Sequence, residues 1–114
     1  MSSNPPGQDK RVAPRHEYIN FAWYKRVDDG ASELDEGVAR SCDVSDTGVG
    51  MIVTRQLPPA ARLFLELISR AGSISAVGTV MHCADVGNGC FRVGIRIDSI
   101  PPTDELTWRQ MVDG

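Results

Sequence analysis

Two short groups of residues in this sequence could together hold an anion and a hydrogen-bonding base. The first is Arg11-Val-Ala-Pro-Arg15, an RxxxR that follows Lys10 and has no acid among residues 10 to 16. Each guanidinium presents a planar fork of donors that fits a phosphate, or lies flat on a purine. The second is Asp43-Val-Ser45-Asp-Thr-Gly48, a DxSxxG. Asp43 and Ser45 are two apart, so on a strand both point to one face. A carboxylate there accepts from the N1 and N2 edge of a guanine, and the hydroxyl beside it adds another bond. Gly48 lacks a Cβ, which lets backbone approach a ligand closely or take a positive φ. Each group alone has an ordinary reading, as solvated charge or as local turn chemistry. In this order on one small domain, the pair is far more specific.

The elements that must position these residues follow from the rest of the chain. With 114 residues, 41% hydrophobic and 24% charged, it suits one globular domain with a single core and no deep enclosed active site. Residues 1–9 carry Pro5, Pro6 and Gly7 among small polar residues and read as a flexible N-terminal tail. Residues 10–16 form an extended basic arm, with Pro14 disfavouring helix at Ala13. From Tyr18 to Val27 the chain is rich in aromatic and β-branched residues, a first strand. An acidic loop, Asp28 to Glu36, leads to a second strand at Gly37 to Val44. Gly48 and Gly50 break the chain before a third strand, Met51 to Thr54.

After the turn at Pro58-Pro59, a fourth strand runs from Leu63 to Ile68 with both faces largely covered. Ile74 to Cys83 and Cys90 to Ile97 make a fifth and a sixth strand around a Gly87-Asn88-Gly89 hairpin turn. Pro101 and Pro102 end the sheet, and Thr103 caps a helix over 103–112 whose first turn holds Asp104 and Glu105. Leu106, Trp108, Met111 and Val112 supply its apolar side. Trp23, Tyr24 and Trp108 pack the barrel and dock the helix, and Met51 and Met81 fill the core. Six short strands and one terminal helix imply an all-β domain, a six-stranded antiparallel barrel over residues 17–100 with a C-terminal helix.

The charge distribution narrows the partner. The net charge is −3, yet Lys10, Arg11 and Arg15 cluster without an acid, and Asp28, Asp29, Glu33, Asp35 and Glu36 cluster without a base. An acidic chain is a poor ligand for DNA or RNA, whose affinity comes from cations neutralising phosphates. A short basic arm better suits a small anionic ligand. Membrane insertion is not expected, for lack of a sufficiently long apolar run. The first residues lack the apolar segment of a signal peptide, and three cysteines, Cys42, Cys83 and Cys90, suit a reducing cytoplasm.

With Lys10-Arg11-Val-Ala-Pro-Arg15, Asp43-Val-Ser45-Asp-Thr-Gly48 and the last-strand segment Arg92-Val-Gly-Ile-Arg-Ile-Asp98, the chain resembles the PilZ family of cyclic di-GMP receptors from residue 10 onward. The resemblance implies a PilZ domain over 10–114 and a bacterial, non-enzymatic receptor. It needs no cofactor besides its ligand, cyclic di-GMP. It also implies that Arg11, Arg15, Asp43, Ser45 and Gly48 contact the nucleotide, with Lys10 influencing how many molecules bind. Docking of the arm onto the barrel would then create a surface for an unidentified protein effector.

Two other readings stand behind this one. A PilZ-like chain can act as a nucleotide-independent protein–protein adaptor. An enzyme or metal protein is a third class, with His82, Cys83 and Cys90 as its closest approach to a zinc set. Their spacing lacks the paired CxxC or HxxxH of tight zinc sites.

Overall fold

In a computed structural model the described residues are 19–30, 35–69 and 72–113. They form β1 (Ile19–Arg26), β2 (Glu36–Val44), β3 (Gly48–Val53), β4 (Arg62–Ser69), β5 (Gly72–Gly87) and β6 (Cys90–Ser99). A 3-10 turn at Pro102–Asp104 then leads into α1 (Glu105–Asp113). All neighbouring strands are antiparallel and close into a barrel in the order β1-β2-β3-β6-β5-β4.

Period-two alternation builds the core. Val49, Met51 and Val53 of β3, Leu63, Leu65 and Leu67 of β4, and Val93 and Ile95 of β6 all point inward and are buried. Each large apolar side chain so buried contributes about 1.5–3 kcal/mol. Ile74, Ala76 and Val80 of β5 continue the set, and Met111 of α1, with 0% exposure, closes one end. A bond from the Ser75 N–H to the Asp104 carboxylate (2.9 Å) fixes the start of α1 to β5.

Two interruptions of the alternation matter for function. In β2 the register with β3 moves from Arg40↔Ile52 to Asp43↔Gly50, so β2 carries one extra residue. In β5 it moves from Val80↔Ile95 to His82↔Gly94, again one extra. An extra residue reverses which face the following side chains occupy. Ala39 and Val44 are therefore both buried although five apart, and Asp43 turns outward. His82 likewise turns outward two residues after the buried Val80.

Several sequence expectations change. Gly48 and Gly50 lie within β3, which begins three residues before Met51, because neither glycine needs a positive φ and both pair with β6. β5 runs on to Gly87, well past Cys83. β4 has one buried face, while its other face carries exposed Glu66 beside half-buried Phe64 and Ile68. Thr103 lies inside the 3-10 turn, and α1 starts at Glu105. Met81 is 50% exposed because it follows the inward Val80 and alternation turns it outward, and Leu106 is 70% exposed on the outer side of α1. Trp23 packs edge-on against Phe64 on the outside of the barrel, whereas Tyr24 is buried and Trp108 packs partly against the core.

Candidate functional site

The two bulges converge on one row of residues. Asp43 of β2 stands beside Gly50 of β3, Gly50 beside Gly94 of β6, and Gly94 beside His82 of β5. The Asp43 carboxylate leans over Gly50, where a Cβ would come within 2.8 Å of Oδ1. From the other end the His82 imidazole lies over Gly94, in the space a Cβ would fill. The two glycines thus make a floor that a carboxylate covers at one end and an imidazole at the other.

Cations stand on either side of this floor. Arg92 is two residues before Gly94 on β6 and Arg96 two residues after, so both point to the same outer face. Arg92 Nη2 lies 3.4 Å from Asp43 Oδ2, and Arg96 Nε donates to Asp98 Oδ1 at 2.9 Å. The Asp98 carboxyl is held below the usual carboxylate range, mainly by the Thr79 hydroxyl and then by Arg96. Both arginine side chains remain substantially open to solvent, at 43% and 54%.

Ser45 and Gly48 complete one end. β2 stops at Val44, so Ser45 sits in the turn, where its N–H donates to the Gly48 carbonyl (3.0 Å). Gly48 is pressed against β6, and a Cβ there would collide with the Ile95 carbonyl. Asp43, Ser45, Gly48, His82, Arg92 and Arg96 all line one open cavity of about 420 Å³. Of the residues singled out in the sequence, Asp43, Ser45 and Gly48 are thus brought together. Lys10, Arg11 and Arg15 lie outside the described residues.

Sequence reasoning did not select His82, Arg92 or Arg96. Arg92 and Arg96 were within reach of it, because they flank Gly94 at the spacing of a single strand face.

A larger cavity of about 770 Å³ lies between α1 and the end of β6. Asp46, Asp98, Glu105 and Asp113 line it against one cation, Arg109, so it would repel an anionic ligand. Among the described residues no group of three His, Cys, Asp or Glu side chains is placed to hold a metal ion. Cys83 and Cys90 are free thiols. No helix among these residues is long and apolar enough to cross a membrane.

The chain matches the model of the PilZ domain over residues 9–114. It belongs to the PilZ domain family. Its PilZ fold is also similar to three solved structures. The Bacillus subtilis inhibitor of motility, MotI/DgrA, has a TM-score of 0.62 at 14% identity, covering 94% of this chain and 54% of that one. K. pneumonia MrkH in complex with c-di-GMP has a TM-score of 0.60 at 14% identity, covering 89% and 49%. The same MrkH in its apo state has a TM-score of 0.60 at 16% identity, covering 96% and 50%. The chain therefore spans about half the length of each of them. A search of curated proteins found no match.

Proposed function

We propose that this PilZ domain is a receptor for cyclic di-GMP, held between the outer face of β2, β3 and β6 and the basic arm at residues 10–16. The observation that carries the reading is the convergence of Asp43, Ser45 and Gly48 on one open cavity flanked by Arg92 and Arg96. A guanine entering the cavity would present its N1 and N2 donors to Asp43. Phosphates would meet the arginines, and Arg11 and Arg15 would fold over the ligand from the other side. Charge-assisted hydrogen bonds contribute about 1.5–3 kcal/mol each. Several of them support roughly micromolar binding after the arm's ordering cost. Docking of the arm would alter the surface offered to a protein effector, which makes the domain a non-enzymatic switch in a bacterial cytoplasm.

Isothermal calorimetry with cyclic di-GMP, with GTP and cyclic di-AMP as controls, tests the reading. Saturable heat specific to cyclic di-GMP is expected. Its absence would leave the nucleotide-independent adaptor as the better account.

A further inference from the structure

The side of the barrel opposite the glycine floor carries a second organised surface. Around the closed order β1-β2-β3-β6-β5-β4, the β1/β4 pair is diametrically across from the β3/β6 pair. Its outward residues form a checkerboard fixed by register. Trp23 of β1 faces Glu66 of β4, and one step along the strands Lys25 faces Phe64. The two rings lie on one diagonal, edge to face at a centroid separation of 5.9 Å, and the two charges lie on the other. Phe21, 44% exposed, and Ile68 extend the apolar row on one side, and Val38, 57% exposed, adjoins Trp23 on β2. Exposed aromatic and aliphatic groups rimmed by charges are the composition of a protein contact, not of a solvated strand face.

The pattern is complementary to itself. A two-fold axis laid along the Trp23–Phe64 diagonal puts each ring against its own copy. The same operation exchanges the other diagonal, so Lys25 of one molecule meets Glu66 of the second and the reverse. Spacings of about 3.3 Å per residue and about 4.8 Å between strands make the two diagonals cross at about 70°. The strands of the two copies then cross at the same angle, nearer the orthogonal than the aligned way in which sheets pack face to face. A closed two-fold contact needs this kind of isologous patch. Within this block of four the paired charges cancel.

We propose that the outer β1/β4 face is a homodimer interface, a second copy of this chain being its occupant. The two nucleotide-facing cavities then point away from each other and stay open.

Sedimentation velocity on the full chain over a concentration series tests the pairing. The wild type is expected to move from 12.4 kDa to twice that mass as concentration rises. Lys25→Glu and Glu66→Lys each oppose like charges at both ends of the axis and should weaken association at least about tenfold, a ~1.4 kcal/mol effect. The double swap Lys25→Glu/Glu66→Lys restores opposite charges and should return association to the wild-type range. Both residues are exposed, so the swaps leave the barrel intact. A wild type that remains monomeric up to about 1 mM overturns the proposal and leaves the face to a different partner. Single swaps that associate like the wild type, or a double swap that fails to recover, overturn it equally.

Discussion

Arg92 and Asp43, 49 positions apart in sequence, hold one another across β3, with Arg92 Nη2 at 3.4 Å from Asp43 Oδ2. The Arg92 guanidinium holds the Asp43 side chain over Gly50 while exposing its own remaining donors to the cavity. On the proposed reading, a guanine edge replaces Arg92 at Asp43 and Arg92 turns to a phosphate. Arg92→Ala should therefore raise the dissociation constant for cyclic di-GMP at least about tenfold, ~1.4 kcal/mol. The pair is partly exposed, so folding stability should change by no more than about 1 kcal/mol. Calorimetry and urea unfolding separate the two effects, and a large stability loss with unchanged affinity would refute this role.

Arg15→Ala tests the arm. Losing one bidentate phosphate or base contact should weaken binding at least about tenfold, near 1.4 kcal/mol. The urea midpoint should stay where it is. An unchanged dissociation constant by calorimetry would remove Arg15 from the site.

Gly48 and Gly94 should respond differently to alanine. At Gly48 the new Cβ would run into the Ile95 backbone carbonyl, which is locked in the sheet, so Gly48→Ala should destabilise by about 1–3 kcal/mol. At Gly94 the obstacle is the His82 imidazole, a side chain that can swing away. Gly94→Ala should fold with a nearly unchanged melting temperature yet bind cyclic di-GMP more weakly, because the new Cβ pushes the His82 imidazole into the cavity it lines. Equal melting-temperature losses in both variants would contradict the distinction.

Acid should loosen the β1–β4 end of the barrel through Asp28. Its carboxyl is held below the usual carboxylate range, first by the Arg62 N–H and then by Gly30 N–H and the Arg26 guanidinium. A folded value below the unfolded one means the stabilisation is present above the unfolded value of about 3.9 and lost as pH falls through the folded value. Asp28→Asn should lower the urea midpoint at neutral pH. It should also flatten the fall in stability below about pH 4. A slope identical to the wild type would exclude Asp28 as a contributor.

The barrel was readable because six short runs rich in β-branched and apolar residues are separated by turn signals, whereas the single buried face of β4, with Leu63, Leu65 and Leu67, was hidden by apolar Phe64 and Ile68 on the other face. The turn at Asn88-Gly89 was readable because both residues take positive φ, which Asn and Gly tolerate best. The site was legible only in part. Asp43 faces outward through a bulge, and an extra residue in β2 leaves no mark on composition or spacing. The Asp43–Ser45 spacing suggested a shared strand face, whereas the shared cavity comes from the bulge before Asp43 and the turn that holds Ser45. Gly50 looked like a chain break because glycine usually punctuates strands. Here it is retained inside one, since the Asp43 side chain occupies the room above it. His82 stands out in the sequence only as part of a poor zinc set, since the parity change at Met81 is invisible until β5 is paired with β6.

The length of β5 has a consequence for association of another kind. Its ladder with β4 ends at Thr79, while its ladder with β6 continues to Gly87. Among the described residues, the stretch from Met81 to Gly87 is thus hydrogen-bonded in the sheet along one margin, and its outer N–H and C=O groups form a template on which a foreign peptide could add as a further strand. Unwanted fibrous growth or strand capture at this projecting ribbon would meet Asp85 as its guarding charge.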